Sequence, residues 1–186
     1  MVKKMIISAL FPFLSNPYEK LHLTEISKNI NENHTTVRLW LSELENKGVL
    51  KKEFKGRQTL YSLNFQIPLT FEYITLAEKI RLLTRIEHDL ILKELHNFIF
   101  QKKAKALIFG SAVKSVRDAH DIDLLVIGSK NNLIIEQLMN KLNKKIHLIS
   151  VSKLETITDT LKLEILKNHI LLSNSENFVR WLIWEK

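Results

Sequence analysis

Apolar residues recur at helical spacing through most of the first half of the chain, then give way to short apolar runs separated by polar loops. The opening stretch MVKKMIISALFPFLSNP combines lysines with an apolar run. Pro12 interrupts it, no small-residue cleavage site follows, and the next segment continues a helical pattern, so it reads as a first core helix and not a signal peptide. TEISKNI is a short amphipathic segment with Thr24 placed to cap it and Ile26 and Ile30 on one face. In NENHTTVRLWLSELENKGVL, Val37, Trp40, Leu41 and Leu44 fall at helical spacing, with Asn33 as cap and Gly48 as stop. VLKKEFKGRQTLYSLN alternates, which predicts two strands over 49–54 and 58–64 about a Lys-Gly-Arg turn.

Residues 67–101 contain no glycine, and their only proline, Pro68, precedes the helical pattern. Phe71, Ile74, Ile80, Leu83, Leu90 and Ile91 keep an approximate helical period, predicting one long helix or two broken near His88. The apolar content exceeds what one face needs. The segment either packs against the chain's own domains or pairs two chains in a homodimer. His88 and His96 have no carboxylate partner at ligand spacing and read as surface or boundary residues.

Past residue 102 the pattern changes. AKALIFGSAV begins as a buried strand and ends in Gly110-Ser111, where a glycine permits a tight turn. The amides that follow can converge on an anion if a helix starts there. DIDLLVIG is a second strand whose alternation puts Asp121 and Asp123 on one face and Ile122 on the other. Two adjacent carboxylates repel unless a cation or basic partner lies between them. KKIHLISV is a third strand. The tail has a helical stretch at 161–166, an apolar run at 170–172, and Trp181 and Trp184 sharing a final apolar face.

Composition narrows the chemistry. The 186 residues fit one large domain or two small ones, and 45% hydrophobic with 26% charged content is ordinary for a globular chain. The absence of cysteine excludes disulfides, thiolate metal sites and cysteine nucleophiles, and suits a cytoplasmic setting. No run approaches a membrane span. The net charge of +8 points to an anionic partner, and it divides as +4 over residues 1–66, −1 over 67–101 and +5 over 102–186. Two basic functional ends joined by a neutral connector are expected.

The helices and basic hairpin of residues 1–66 resemble a winged helix-turn-helix, with the cadence T-x-I-x-x-x-I … T-T-V-x-x-x-L-x-x-L-x-x-x-G-V-L … G-R … Y-x-L. The resemblance implies a helix in the major groove, so that His34, Thr35, Thr36 and Arg38 face DNA. It also implies a wing whose Lys55 and Arg57 meet phosphates. Such domains also serve as protein-binding modules.

The Gly-Ser turn, loop and Asp-x-Asp of FGSAVKSVRDAHDID resemble the minimal members of the nucleotidyltransferase superfamily typified by DNA polymerase β. That resemblance implies that Gly110, Ser111 and Lys114 contact the phosphates of a nucleoside triphosphate. It implies that Asp121 and Asp123 hold Mg²⁺ or Mn²⁺ for transfer of a nucleoside monophosphate. The chain departs from the family at His120, where a small residue is usual. It departs again at His147, on the strand that carries a third carboxylate in active members; Asp118 and Glu136 have no spacing that argues for their replacing it. Imidazole supplies no countercharge for Mg²⁺, so weakened or lost transfer is expected, with His147 as a substitute ligand in a working site as the alternative.

The expected architecture is α+β: a winged helix-turn-helix at 1–66, a helical connector at 67–101, and at 102–186 a nucleotidyltransferase-like mixed sheet with helices on one side. The expected function is DNA binding combined with nucleotide and metal binding. The alternative is an active transferase modifying a protein or small-molecule acceptor, as antitoxins resembling this family do to a HEPN-type ribonuclease.

Overall fold

The computed structural model describes residues 4–56, 58–128 and 132–185 of the chain. It is a mixed α and β structure that divides into two compact units, Met1–Arg81 and Leu82–Lys186. The connector expected over 67–101 is shared between them.

The first unit begins with two short helices, α1 (Lys4–Ser8) and α2 (Phe11–Ser15), in place of the single helix that the apolar run predicts. Pro12 sits in the first turn of α2, where its missing N–H leaves no helical bond unmade. Ile7, Leu10, Phe13 and Leu14 are fully buried, as a core segment requires. A two-residue strand, β1 (Leu21–His22), leads into α3 (Leu23–Ile30). Thr24 does not cap α3. The Glu25 carboxylate accepts the His22 N–H at 2.7 Å, because pairing of β1 with a later strand fixes where the helix begins.

Helix α4 (His34–Asn46) starts at Asn33, whose side chain accepts the Thr36 N–H at 2.8 Å. It stops before Gly48, at φ +74°, where a left-handed conformation is needed. Val37, Leu41 and Leu44 are buried, while Trp40 is half-buried. Strands β2 (Leu50–Lys55) and β3 (Gln58–Leu63) form the antiparallel hairpin, and β1 completes a sheet of order β1-β3-β2. Helix α5 (Pro68–Ile86) follows, starting at the proline itself.

The second unit contains the last turn of α5 and α6 (Leu90–Gln101), so the helical segment breaks at His88. Its sheet has four strands: β4 (Lys105–Phe109), β5 (Asp121–Ile127), β6 (Lys145–Val151) and β7 (His169–Leu171). Their order is β6-β5-β4-β7, with β5 and β6 parallel and the other pairs antiparallel. Helix α7 (Asn132–Leu142) lies between β5 and β6 in the chain, and α8 (Asp159–Lys167) and α9 (Ser175–Val179) flank β7.

One face of this sheet, carrying Ile108, Ile122, Leu124 and Ile146, shares a core with Leu92, Leu95 and Phe98 of α6 and Leu138 of α7. Leu107, Leu125 and Leu171 on the opposite face are also buried, so the sheet is covered on both sides where one covered side is expected from sequence. Trp181 and Leu154 line a cleft with Lys105 and Ile127 at one end of that second face. The other end carries the two aspartates.

Candidate functional site

The register places one residue from each strand on a single rung: His147, Asp123, Phe109 and His169. Cross-strand partners point to the same side of a sheet, so Asp123 and His147 are neighbours on the face that also carries Asp121. The His147 Nδ1 lies 3.3 Å from Asp123 Oδ1 and 3.6 Å from Asp121 Oδ2. These side chains are 32–47% exposed, so the pair's repulsion is partly screened by solvent and a ligand can reach it.

The turn comes against this pair from β4. Gly110 opens a single turn of 3₁₀ helix (Gly110–Val113) at φ +72°. A Cβ at this position would stand 2.5 Å from Asp123 Oδ2. Glycine is therefore required twice, once by the backbone and once by the carboxylate. Ser111 and Lys114 are exposed beside it. The structure thus brings Gly110, Asp121, Asp123 and His147 together at one end of the sheet.

Three side chains that sequence reasoning does not single out hold the loop between turn and aspartates. The Arg85 guanidinium donates to the Val113 carbonyl. Asp89 caps α6 by accepting the Leu92 N–H at 3.0 Å and with its other oxygen accepts the Arg117 N–H at 3.1 Å. Lys144 donates to the Arg117 carbonyl at 2.7 Å and to that of Ala119. Asp89 has a readable signal, an acid three residues before Leu92 at a helix start. Arg85 and Lys144 have none, because their partners lie 28 and 27 residues away.

The donor set bears on a divalent cation. Two carboxylates on one strand face provide hard oxygen donors, which suit Mg²⁺ when phosphates and water supply the rest. His147 Nδ1 stands within 3.6 Å of both acids, and among the described residues no group of three His, Asp or Glu is arranged to hold a metal ion. The two acids supply the oxygen donors that such a cation takes. Asp118 is turned to the Ser115 hydroxyl at 2.7 Å, and Glu136 is exposed on α7. His120 is exposed at the foot of β5. His96 is half-buried and donates through Nδ1 to the Leu172 carbonyl at 2.9 Å.

In the first unit, His34, Thr35 and Arg38 are exposed on α4, and Thr36 is half-buried in its first turn. Burial raises the Tyr61 phenol pKa, the Glu45 charge adds to the rise and the positive charge of Arg38 opposes it. Lys55 is exposed at the end of β2, and Arg57 lies outside the described residues. Two exposed apolar residues on these elements were not foreseen, Leu39 on α4 and Phe54 on β2. The Lys52 ammonium stands 5.3 Å from the Phe54 ring.

Residues 91–177 match the family model described as Polymerase beta, Nucleotidyltransferase. The chain therefore carries a nucleotidyltransferase domain, and that segment contains the Gly-Ser turn, the aspartate pair and His147. Neither a curated protein nor a solved structure matches the chain. No helix among the described residues is long and apolar enough to cross a membrane.

Proposed function

We propose that this is a DNA-binding protein whose nucleotidyltransferase domain binds a nucleoside triphosphate with Mg²⁺ or Mn²⁺ and transfers its nucleotidyl group poorly or not at all. The observation that carries this reading is His147 beside Asp121 and Asp123, at 3.6 and 3.3 Å, on the strand where active members of the class place an acid. Imidazole adds no negative charge, and its protonated form repels a cation. In this reading Gly110 and Ser111 receive phosphate oxygens on backbone N–H groups and the hydroxyl, and Lys114 neutralises phosphate charge. Asp121 and Asp123 hold the divalent ion. When bound, that ion polarises the α-phosphate and favours ionisation of the attacking hydroxyl.

The first unit would supply the recruitment. Its helices and three-stranded sheet, in this chain order, support the winged helix reading, with the exposed face of α4 (His34, Thr35, Arg38) directed to base edges. Thr36 at the start of α4 joins that set through its first turn, and Lys55 with Arg57 would serve as the wing's phosphate contacts.

A second reading is favoured by the same closeness: a ring nitrogen within 3.6 Å of both acids could serve as a metal ligand in an active transferase acting on a protein or small-molecule acceptor, as an antitoxin does. Incubation with an α-labelled nucleoside triphosphate, Mg²⁺ or Mn²⁺ and cell extract separates the two. Retained nucleotide binding without a labelled product supports the first reading. A product that disappears in Asp121→Asn supports the second, and absence of nucleotide binding contradicts both.

A further inference from the structure

A cleft of about 420 Å³ opens between the α5–α6 junction and the loop that follows the Gly-Ser turn. Its charged lining is Arg85, His88, Asp89, Lys114, Arg117 and Asp118, over a floor of Leu92, Val113, Val116 and Ile170. The two acids are engaged internally. Asp89 accepts the backbone N–H groups of Leu92 and Arg117, and Asp118 accepts the Ser115 hydroxyl at 2.7 Å. Arg85 serves the wall itself by donating to the Val113 carbonyl.

The other three are different. Among the described residues, no hydrogen bond or ion pair engages the side chains of His88, Lys114 or Arg117. All three are exposed. Donors without internal partners, set around a concave space whose acids are already satisfied, make an anion site. His88 offers a ring N–H in either protonation state, and the other two bring a basic ammonium and a guanidinium. The volume suits a small ligand.

We propose that this cleft binds a small, multiply charged phosphoanion, either free or as the phosphate tail of a nucleotide, at a site centred on His88 and Arg117 that lies apart from the aspartate pair and shares only Lys114 with the nucleotide site read above. The proposal goes beyond the reading of the aspartate site and does not need metal. One wall is the loop that joins the phosphate turn to Asp121. An occupant bridging His88 on one side to Lys114 and Arg117 on the other would tie that loop to the helical junction. The cleft would then act as an effector site on the geometry of the turn. His88 precedes the segment that matches the family model, so the family match does not assign it.

The test is calorimetric titration of the full chain with inorganic pyrophosphate in EDTA, which disables the metal-dependent site. Both side chains can be changed without releasing the loop, because Arg117 is anchored through its backbone N–H to Asp89 and its carbonyl to Lys144. The expected result is saturable binding that weakens at least tenfold in His88→Gln/Arg117→Gln and is unchanged in Asp121→Asn. Metal-free ATP distinguishes the sources: equal affinity points to a free phosphoanion, and tighter binding lost in the same double variant points to a nucleotide tail. No saturable binding, or binding that the double variant retains, overturns the proposal. Loss of Mg²⁺-dependent ATP binding is a separate result, which concerns the aspartate site alone.

Discussion

Gly110 and Asp123 occupy each other's margin: the position of a Cβ on residue 110 falls 2.5 Å from Asp123 Oδ2. The end of β4 and the head of β5 are thereby fitted together so that the turn and the acid form one wall. A methyl group at residue 110 would move the carboxylate aside and strain a backbone held at φ +72°.

Gly110→Ala is expected to lose Mg²⁺-dependent nucleotide binding by about tenfold or more. Its stability should fall by only about 1–2 kcal/mol, the usual penalty for a side chain in the left-handed region. Nucleotide titration and urea unfolding of the same variant check both halves. Unchanged nucleotide affinity would mean that the fitted turn is not part of the binding site.

His147→Asp places an acid on β6 beside Asp123, as the proposed reading expects of an active site. Labelled-product formation should rise by roughly a hundredfold, within the range that a positioned acid-base group contributes to transfer chemistry. An equal or lower rate in His147→Asp, with folding intact, would favour His147 as a functional ligand.

Lys144→Met removes an ammonium that donates to two loop carbonyls, those of Arg117 and Ala119. Hydrogen bonds from charged donors contribute roughly 1.5–3 kcal/mol each, and solvent competition at this half-exposed side chain brings the two together to the low end, a loss of about 2–3 kcal/mol. Hydrogen exchange should quicken across residues 114–120 while the strands stay protected. Uniform acceleration throughout the second unit would instead indicate a general loss of stability.

Much of this site is local in sequence, and that part was legible. The alternation of DIDLLVIG alone aligns Asp121 with Asp123, and the Asn33 cap and Gly48 stop follow from residue chemistry. His147 fell opposite Asp123 because its strand has an equally clear period. The start of α3 departs from the Thr24 cap that the sequence predicts because β1, two residues long and paired with β3, sets it from a distance. β7 reads in the sequence only as an apolar run, because three residues give too little alternation to mark a strand. The loop anchors Arg85 and Lys144 depend on partners brought near by folding, which no local pattern reports.

For the first unit, Arg38→Ala should weaken binding to promoter DNA. Lys55→Ala should reduce the slope of log affinity against log salt by about one, as removal of one phosphate contact predicts. Electrophoretic mobility across a salt series measures both. If neither variant differs from the parent, the DNA-binding proposal fails while the nucleotidyltransferase domain stands.

A smaller pH effect joins α6 to α7. The Lys141 ammonium, 2.7 Å from Glu94, donates to its carboxylate and holds it below the usual carboxylate range. A lowered folded-state value means that the contact contributes fully above the unfolded carboxylate range and is lost as pH falls through the folded value. The stability difference between the parent and Glu94→Gln should therefore shrink under acid, as thermal unfolding at neutral and acidic pH would show.

We propose that Asp121 and Asp123, set against the Gly110 turn, form a metal-dependent nucleotide site. Titration of the full chain with ATP, with and without Mg²⁺, in the parent and in Asp121→Asn/Asp123→Asn, tests it most directly. The account predicts a Mg²⁺-dependent increment in affinity that the double variant loses. An increment of equal size in the double variant would contradict it.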